Sequence, residues 1–242
     1  MLTNKIFCEA NKIRLLFTAT IITLFISCSP LKPYRNLPEV VKWEPDIAVF
    51  DSLDRTVNYP DDAILFAGSS SIRLWSTLDR DMAPYHVIQR GYGGAKLSDY
   101  AVYADRIFAP HKCSALVLFI ANDITGSTSD KSPEEVRELF RYIHQRFRKY
   151  NRGAPVFFVE ITPTWRRWKA WPQIDVCNET IRKWCEQKSN TYFIETTPTF
   201  LNSEGKPIQE YFRSDSLHLN SDGYKVWTGI IKGEIEEVIG KR

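Results

Sequence analysis

Three consecutive serines, Ser69-Ser70-Ser71, follow an apolar run that stops at Gly68 and directly precede a helix-like pattern. A serine hydroxyl is a poor nucleophile at neutral pH and needs a base, usually a histidine held by a carboxylate. The chain has four histidines. His144 lies in an amphipathic helical pattern, His86 directly before an apolar run, and His111 after Pro110, so these three read as surface or boundary residues. His218 differs. It stands in the polar stretch Asp215-Ser216-Leu217-His218, ahead of the helix-start signals Asn220-Ser221-Asp222-Gly223. A spacing of three lets one turn join Asp215 to Nδ1–H of His218, which leaves Nε2 to face Ser70. Standing alone, the same spacing also suits a capping aspartate beside a surface histidine.

Two further stretches could serve such a nucleophile. Gly91-Tyr92-Gly93-Gly94 permits close backbone approach with exposed N–H groups, or is an ordinary glycine turn. Asn122-Asp123 could present an amide N–H to a developing oxyanion, or simply turn the chain. A third stretch, Ile161 to Trp168, is dense in aromatic residues and arginine. Trp165 and Arg166 there read either as a sugar-stacking or anion-binding rim, or as tryptophans packed on the fold beside solvated arginines. Tyr92 and Trp75 could line the same cleft or fill core space.

These residues need a frame that brings them together. Apolar runs of strand length, Ala63–Ala67, Val87–Arg90, Ala115–Ile120, Pro155–Glu160 and Thr191–Glu195, alternate with helical patterns. Short continuous apolar runs suit strands buried on both faces of a parallel sheet. Ser132-Pro133-Glu134-Glu135 carries a capping serine, proline at the first helical position and a glutamate three residues on. Val136, Leu139, Phe140, Ile143, Phe147 and Tyr150 then recur at helical spacing, as do Tyr224, Trp227, Ile231, Ile235 and Val238 at the end. The alternation predicts an α/β protein, a three-layer α/β/α sandwich with five strands. In an open parallel sheet the ligand site lies outside the carboxyl ends of the strands. Gly68–Ser71, Gly91–Lys96, Ala121–Thr125 and Thr162–Trp168 each follow a strand, and Asp215–Asn220 precedes the last helix.

The 242 residues suffice for one domain of roughly 180 to 210 residues. Apolar residues at 43% and charged residues at 25% are ordinary for a globular protein. The formal charge is +3, of which residues 1–27 hold +2 through Lys5, Lys12 and Arg14 against Glu9. A remainder near +1 gives no reason to expect nucleic acid. Those basic residues precede an apolar run, Leu15–Ile26, too short for a comfortable membrane span. The run ends in Ser27-Cys28, which resembles a bacterial lipoprotein cleavage site with Cys28 as the lipidated residue. Phe25 and Ile26 depart from the usual residues there, and an uncleaved anchor is the other reading. Either reading predicts an exported, membrane-anchored protein, facing the periplasm or the cell surface. Residues 29–60, with Pro30, Pro33, Pro38 and Pro45, read as a tether with a lead-in helix over Asp46–Val57, and the main domain follows from 61 to 242. Cys177 and Cys185 lie roughly 12 Å apart along a helix, too far for a disulfide, so with Cys113 they read as buried small hydrophobes. No spacing suggests a metal site.

Four features thus fall in order at successive strand ends, and in that order the chain resembles the SGNH/GDSL hydrolases. FAGSSSIRLW matches the family's first block, QRGYGGAKL the second, LVLFIANDI the third and DSLHLNSDGY the last, together covering about residues 61–240. The resemblance implies a flavodoxin-like sandwich. It assigns the nucleophile to Ser70, the base to His218 and the orienting acid to Asp215. The oxyanion donors it implies are the N–H groups of Ser70 and Gly94 and the side chain of Asn122. Two positions depart from the pattern. Ser69 replaces an aspartate, and Ile120 replaces a glycine, where a β-branched side chain is expected to narrow the acyl pocket or change the pose of Asn122. The function this implies is ester hydrolysis with no cofactor and no metal. The Trp/Arg loop, Ile120 and the lack of a long apolar insertion to serve as a lid favour small acyl groups, acetyl first, on carbohydrate. Tyr92, Trp165 and Arg166 are the expected substrate contacts. Acyl transfer between sugars, or a catalytically silent glycan-binding lipoprotein, are the alternatives.

Overall fold

The five expected strands form one parallel sheet in the order β2-β1-β3-β4-β5. They are β1 (Ile64–Gly68), β2 (Val87–Gly91), β3 (Ala115–Phe119), β4 (Val156–Val159) and β5 (Thr191–Ile194). Every residue of β1, β3 and β4 is buried, as strands covered on both faces must be. The computed structural model describes residues 31–241, and residues from Pro33 onward form one compact unit. The expected export segment over residues 1–28, including Cys28, lies outside the described residues.

Each connection between parallel strands must cross a face of the sheet, and such crossovers are right-handed. The chain steps from β1 outward to β2, then reverses to β3, β4 and β5, so the crossovers before and after the reversal take opposite faces. Helices α3 (Leu97–Phe108), α4 (Pro133–Tyr150) and α5 (Trp171–Glu186) follow the reversal and pack side by side. The turn of helix α2 (Ser70–Arg73) and a second short helix, Leu78–Met82, precede it, and α6 (Ser221–Ile239) packs against the latter. The result is the expected three-layer sandwich. The capping box before α4 forms as read: Ser132 Oγ accepts from Glu135 N–H at 3.2 Å, and Glu135 Oε2 from Ser132 N–H at 2.9 Å.

The register sets the level of the strand ends. Gly68 pairs with Gly91 on one side and Phe119 on the other, so the three loops that follow leave the sheet at one height. The order of strand addition reverses between β1 and β3, which opens a crevice there for a ligand.

The lead-in helix α1 spans Glu44–Thr56 and buries Ile47 and Phe50. It packs on α3, and the Trp43 ring before it lies 5.1 Å from that of Tyr92. Its Asp54 forms a buried ion pair with Arg90, beside His111. His111 is therefore an interior residue, 6% exposed, and not the boundary residue expected. His144 is also half-buried, its Nε2 3.0 Å from Thr191 Oγ1. Cys113, Cys177 and Cys185 are free and buried, and burial pushes each thiol up to about 12.

Candidate active site

Ser70 is the first residue of α2, and the turn that presents it is fixed by the strand before it. Gly68 has φ +153°, and a Cβ there would meet the Phe119 carbonyl oxygen at 2.1 Å, so only glycine fits. Ser69, 2% exposed, then donates its N–H to the same carbonyl at 3.0 Å, and its own carbonyl accepts from Ile72 and Arg73 N–H. At the start of a helix the N–H of Ser70 has no partner four residues back, and it makes no other bond among the described residues.

The loop before α6 brings the histidine to this serine. Phe212 and Leu219 form a short antiparallel bridge, and Arg213 N–H donates to His218 O at 2.8 Å. Ser216 turns with φ +57°, and Asn220 caps α6 by accepting from the N–H groups of Asp222 and Gly223. Within this frame Asp215 Oδ1 accepts from the N–H groups of Leu217 and His218, at 3.0 and 2.9 Å. Asp215 Oδ2 lies 2.6 Å from His218 Nδ1, and His218 Nε2 lies 3.0 Å from Ser70 Oγ. A carboxylate only accepts, so Nδ1 carries the proton and Nε2 presents a lone pair to the serine hydroxyl. Burial pushes the Asp215 carboxyl up, but the bonds from His218 and Leu217 outweigh it and bring the group down to about 2.

Across the cleft stands Asn122. Its Nδ2 donates to Ala95 O at 2.8 Å, and its Oδ1 accepts from Arg167 Nη2 at 2.5 Å. Arg167 Nη1 also donates to Ala121 O at 2.5 Å. An arginine cannot accept and a carbonyl cannot donate, so these two neighbours settle which end of the amide is nitrogen. One amide N–H has no partner among the described residues. Asp123, next in sequence, is 2% exposed and supports the loop by accepting from Leu97 N–H at 2.8 Å, with Lys131 Nζ 3.1 Å away. Burial raises its carboxyl from the ordinary value.

Between these groups lies a cavity of about 30 Å³. Ser69, Ser70, Asn122, Arg167 and His218 supply its polar wall, and Phe119, Phe212, Leu219 and Trp227 its apolar wall. A cavity of this size, by the measure in which one water takes about 10–15 Å³, admits a group of very few heavy atoms. The whole array is a hydroxyl, an imidazole and a carboxylate in series, facing amide donors across a narrow space. Such an array can transfer an acyl group.

Not every expected contact is here. Tyr92 is fully buried; its ring stacks on Tyr100 at 5.7 Å and its hydroxyl donates to Asp99, so it is core and does not wall the cavity. Trp165 and Arg166 are exposed outside the cavity wall, with the Arg166 N–H on Ser216 O at 3.1 Å. The arginine that enters is Arg167. Thr164 caps a tight 3₁₀ turn, Trp165–Ala170, accepting from the N–H of Arg167, and the turn carries Arg167 inward. Ile120 is 1% exposed and turned into the core, while Phe119 and Ala121 on either side line the cavity. It therefore does not line or narrow the cavity, contrary to expectation, because successive strand residues face opposite ways. Gly94, φ +70°, sits at the turn after β2, next to the Ala95 carbonyl that Asn122 grips. Its N–H makes no bond among the described residues, although the residue is outside the cavity wall. Among the described residues, no three His, Cys, Asp or Glu side chains gather to hold a metal ion.

The model of the GDSL-like lipase/acylhydrolase family matches residues 56–226. No curated protein matches the sequence. Among solved structures, the chain is similar to one named for platelet activating factor from Streptococcus pneumonia. The identity is 18% and the TM-score 0.72, over 81% of this chain and 94% of that one. It is similar to a GDSL-like lipase from Bacteroides thetaiotaomicron, at 18% identity and a TM-score of 0.67, over 79% and 97%. A carbohydrate acetylesterase from Sinorhizobium meliloti shares 12% identity with a TM-score of 0.57, over 73% and 99%. At such identities the likeness is one of fold.

Proposed function

The chain belongs to the GDSL-like lipase/acylhydrolase family, and from that premise we propose that it is a serine esterase acting on small acyl esters of carbohydrates, acetyl above all. The observation that carries this reading is the series Ser70–His218–Asp215 opening onto a cavity of about 30 Å³. In the proposed reaction Ser70 Oγ attacks the ester carbonyl while Nε2 of His218 takes the hydroxyl proton. The carbonyl oxygen becomes an oxyanion, received by the N–H of Ser70 and the free N–H of Asn122, with Gly94 as a third donor. Asp215 stays ionised and holds the imidazolium that forms. His218 then protonates the leaving sugar oxygen, which leaves an acyl group on Ser70. A water, deprotonated by the same imidazole, attacks the acyl-enzyme and releases the carboxylic acid.

The preference for acetyl follows from volume, since each further methylene needs space that the walls of Phe119, Phe212 and Trp227 deny. The sugar preference rests on less. The exposed Trp165 ring lies 6.3 Å from that of Trp168 and tilted 55° to it, and Trp168 stacks on Trp171, an aromatic cluster on the segment that supplies Arg167. Export with a lipid on Cys28 belongs to the same proposal. Metabolic labelling with palmitate tests it, and label retained in Cys28→Ser removes it.

The test of the activity is a panel of acetyl, butyryl and octanoyl esters and acetylated glycans, run on wild type and Ser70→Ala. We expect acetyl to be preferred and Ser70→Ala to lose at least about 10³-fold in kcat. A fluorophosphonate probe should label Ser70 in the folded protein. Equal rates for both proteins, or no label, defeat the reading. Acetate release that rises with added acceptor sugar, with acetyl found on the acceptor, would make it a transferase.

A further inference from the structure

Arg167 is a cation without an ion pair, at the edge of a buried site. Among the described residues no carboxylate lies within salt-bridge distance of it; Asp130 and Asp123 act on it only through space. Burial pushes its guanidinium down to about 10, so it is still charged at neutral pH. Both bonds it makes are to neutral carbonyl oxygens, one from the backbone of Ala121 and one from the side chain of Asn122. Leaving a half-buried cation on two neutral acceptors costs stability that a carboxylate would return. Such a cost at a cleft is repaid where negative charge appears during the reaction.

We propose that Arg167 is a positioning residue for the oxyanion hole: its guanidinium grips the Asn122 amide and aims its free N–H at the oxyanion. The geometry leaves Asn122 one orientation. Its oxygen is taken by Arg167 and one N–H by Ala95, so a single donor faces the cavity. The guanidinium also draws electron density from the amide through its oxygen, which strengthens the opposite N–H as a donor. Without the grip the amide would rotate and could present its oxygen, a repulsive group, to the oxyanion. A lysine cannot substitute, because one ammonium does not span the two carbonyls in a plane as the fork does. This inference rests on the esterase reading above.

A double-mutant cycle on an acetyl ester tests it, with Arg167→Met, Asn122→Ala and both together. Arg167→Met should lower kcat by about 30-fold or more and change KM by less than about threefold, since the grip matters only in the transition state. In the Asn122→Ala background the same change should cost less than about twofold, because nothing is left to aim. Arg167→Lys should recover less than about a tenth of the lost kcat, and methylguanidinium added to Arg167→Ala should recover more. Melting curves and circular dichroism identify any variant that fails to fold, and the rescue experiment then decides, since a small guanidinium cannot refold a collapsed chain. Equal costs in both backgrounds, or a fully active Arg167→Lys, overturn the proposal while the esterase stands. A wild type that turns over no ester and takes no fluorophosphonate on Ser70 overturns both.

Discussion

The hydroxyl of Tyr224 donates to the carbonyl of Ser71 at 2.8 Å, joining residues 153 apart in the chain. Tyr224 is in the first turn of α6, directly after the loop that holds His218, and Ser71 follows the serine that His218 must reach. The bond therefore ties the base-bearing segment to the nucleophile-bearing helix. Gln89 holds the same short helix from the other side, its Nε2 donating to Ile72 O at 2.6 Å. A helix of four residues has little stability of its own, and these tertiary bonds hold it.

Tyr224→Phe keeps the ring, which stacks on Trp75 at 5.3 Å, and removes only the bond. We expect a loss of about 1 kcal/mol, read as a fall in Tm of about 2–4 °C. The kcat for an acetyl ester should fall several-fold as the Ser70–His218 distance loosens. An unchanged kcat would mean that the loop is positioned without this tie.

Asp215→Asn reverses the imidazole. The asparagine oxygen would still accept from Leu217 and His218 N–H, which turns its NH₂ towards Nδ1 and places the ring proton on Nε2, facing Ser70. We expect kcat to drop by about 10² to 10⁴ with little change in KM. The substitution also has a pH signature. The carboxyl falls from 3.8 to about 2 on folding, so its contribution is complete above the unfolded value and is lost as pH drops through the folded one. The Tm gap between wild type and Asp215→Asn should thus shrink between pH 4 and pH 2. A gap that is constant with pH would show that the carboxylate is not held as described.

Phe212 closes the apolar end of the cavity and is 5% exposed. Phe212→Val removes volume there without a polar change. The ratio of butyryl to acetyl kcat/KM should rise by about tenfold, the scale on which a pocket distinguishes one or two methylenes. A ratio that does not move would place the acyl group elsewhere.

Asp99 lies beneath the site, accepting from Tyr92 Oη–H at 3.1 Å and Lys96 N–H at 2.9 Å. Burial first, and the nearby Asp123 second, raise its carboxyl from 3.8 to about 7. An acid whose folded value is raised costs nothing while both states are protonated. It costs increasing stability as pH rises from the unfolded value to the folded one, and a constant amount above. Asp99→Asn should therefore leave Tm unchanged near pH 4 and raise it by a few degrees at pH 8, about 2–4 °C for each kcal/mol. A lower Tm at pH 8 would contradict a carboxyl raised by burial.

The strands could be read from the sequence because β1, β3 and β4 are buried on both faces, and nothing but apolar residues survives there. Ser70, Asn122, Asp215 and His218 could be read because each stands where an element ends, and the α/β frame sends those ends to one edge of the sheet. Side-chain direction was decided otherwise. Arg166 and Arg167 differ in sequence by one step, and only the 3₁₀ turn capped by Thr164 determines which enters the cavity. Tyr92 and Ile120 stand at strand ends where a cleft was expected, yet both face the interior, because Trp43 and Tyr100 cover the one and strand alternation turns the other. The grip of Arg167 on Asn122 spans 45 residues and carries no local signal. Element type and order follow from short-range burial patterns and were present in the sequence. Which neighbour points inward, and which distant group meets it, depends on contacts formed only when the layers pack.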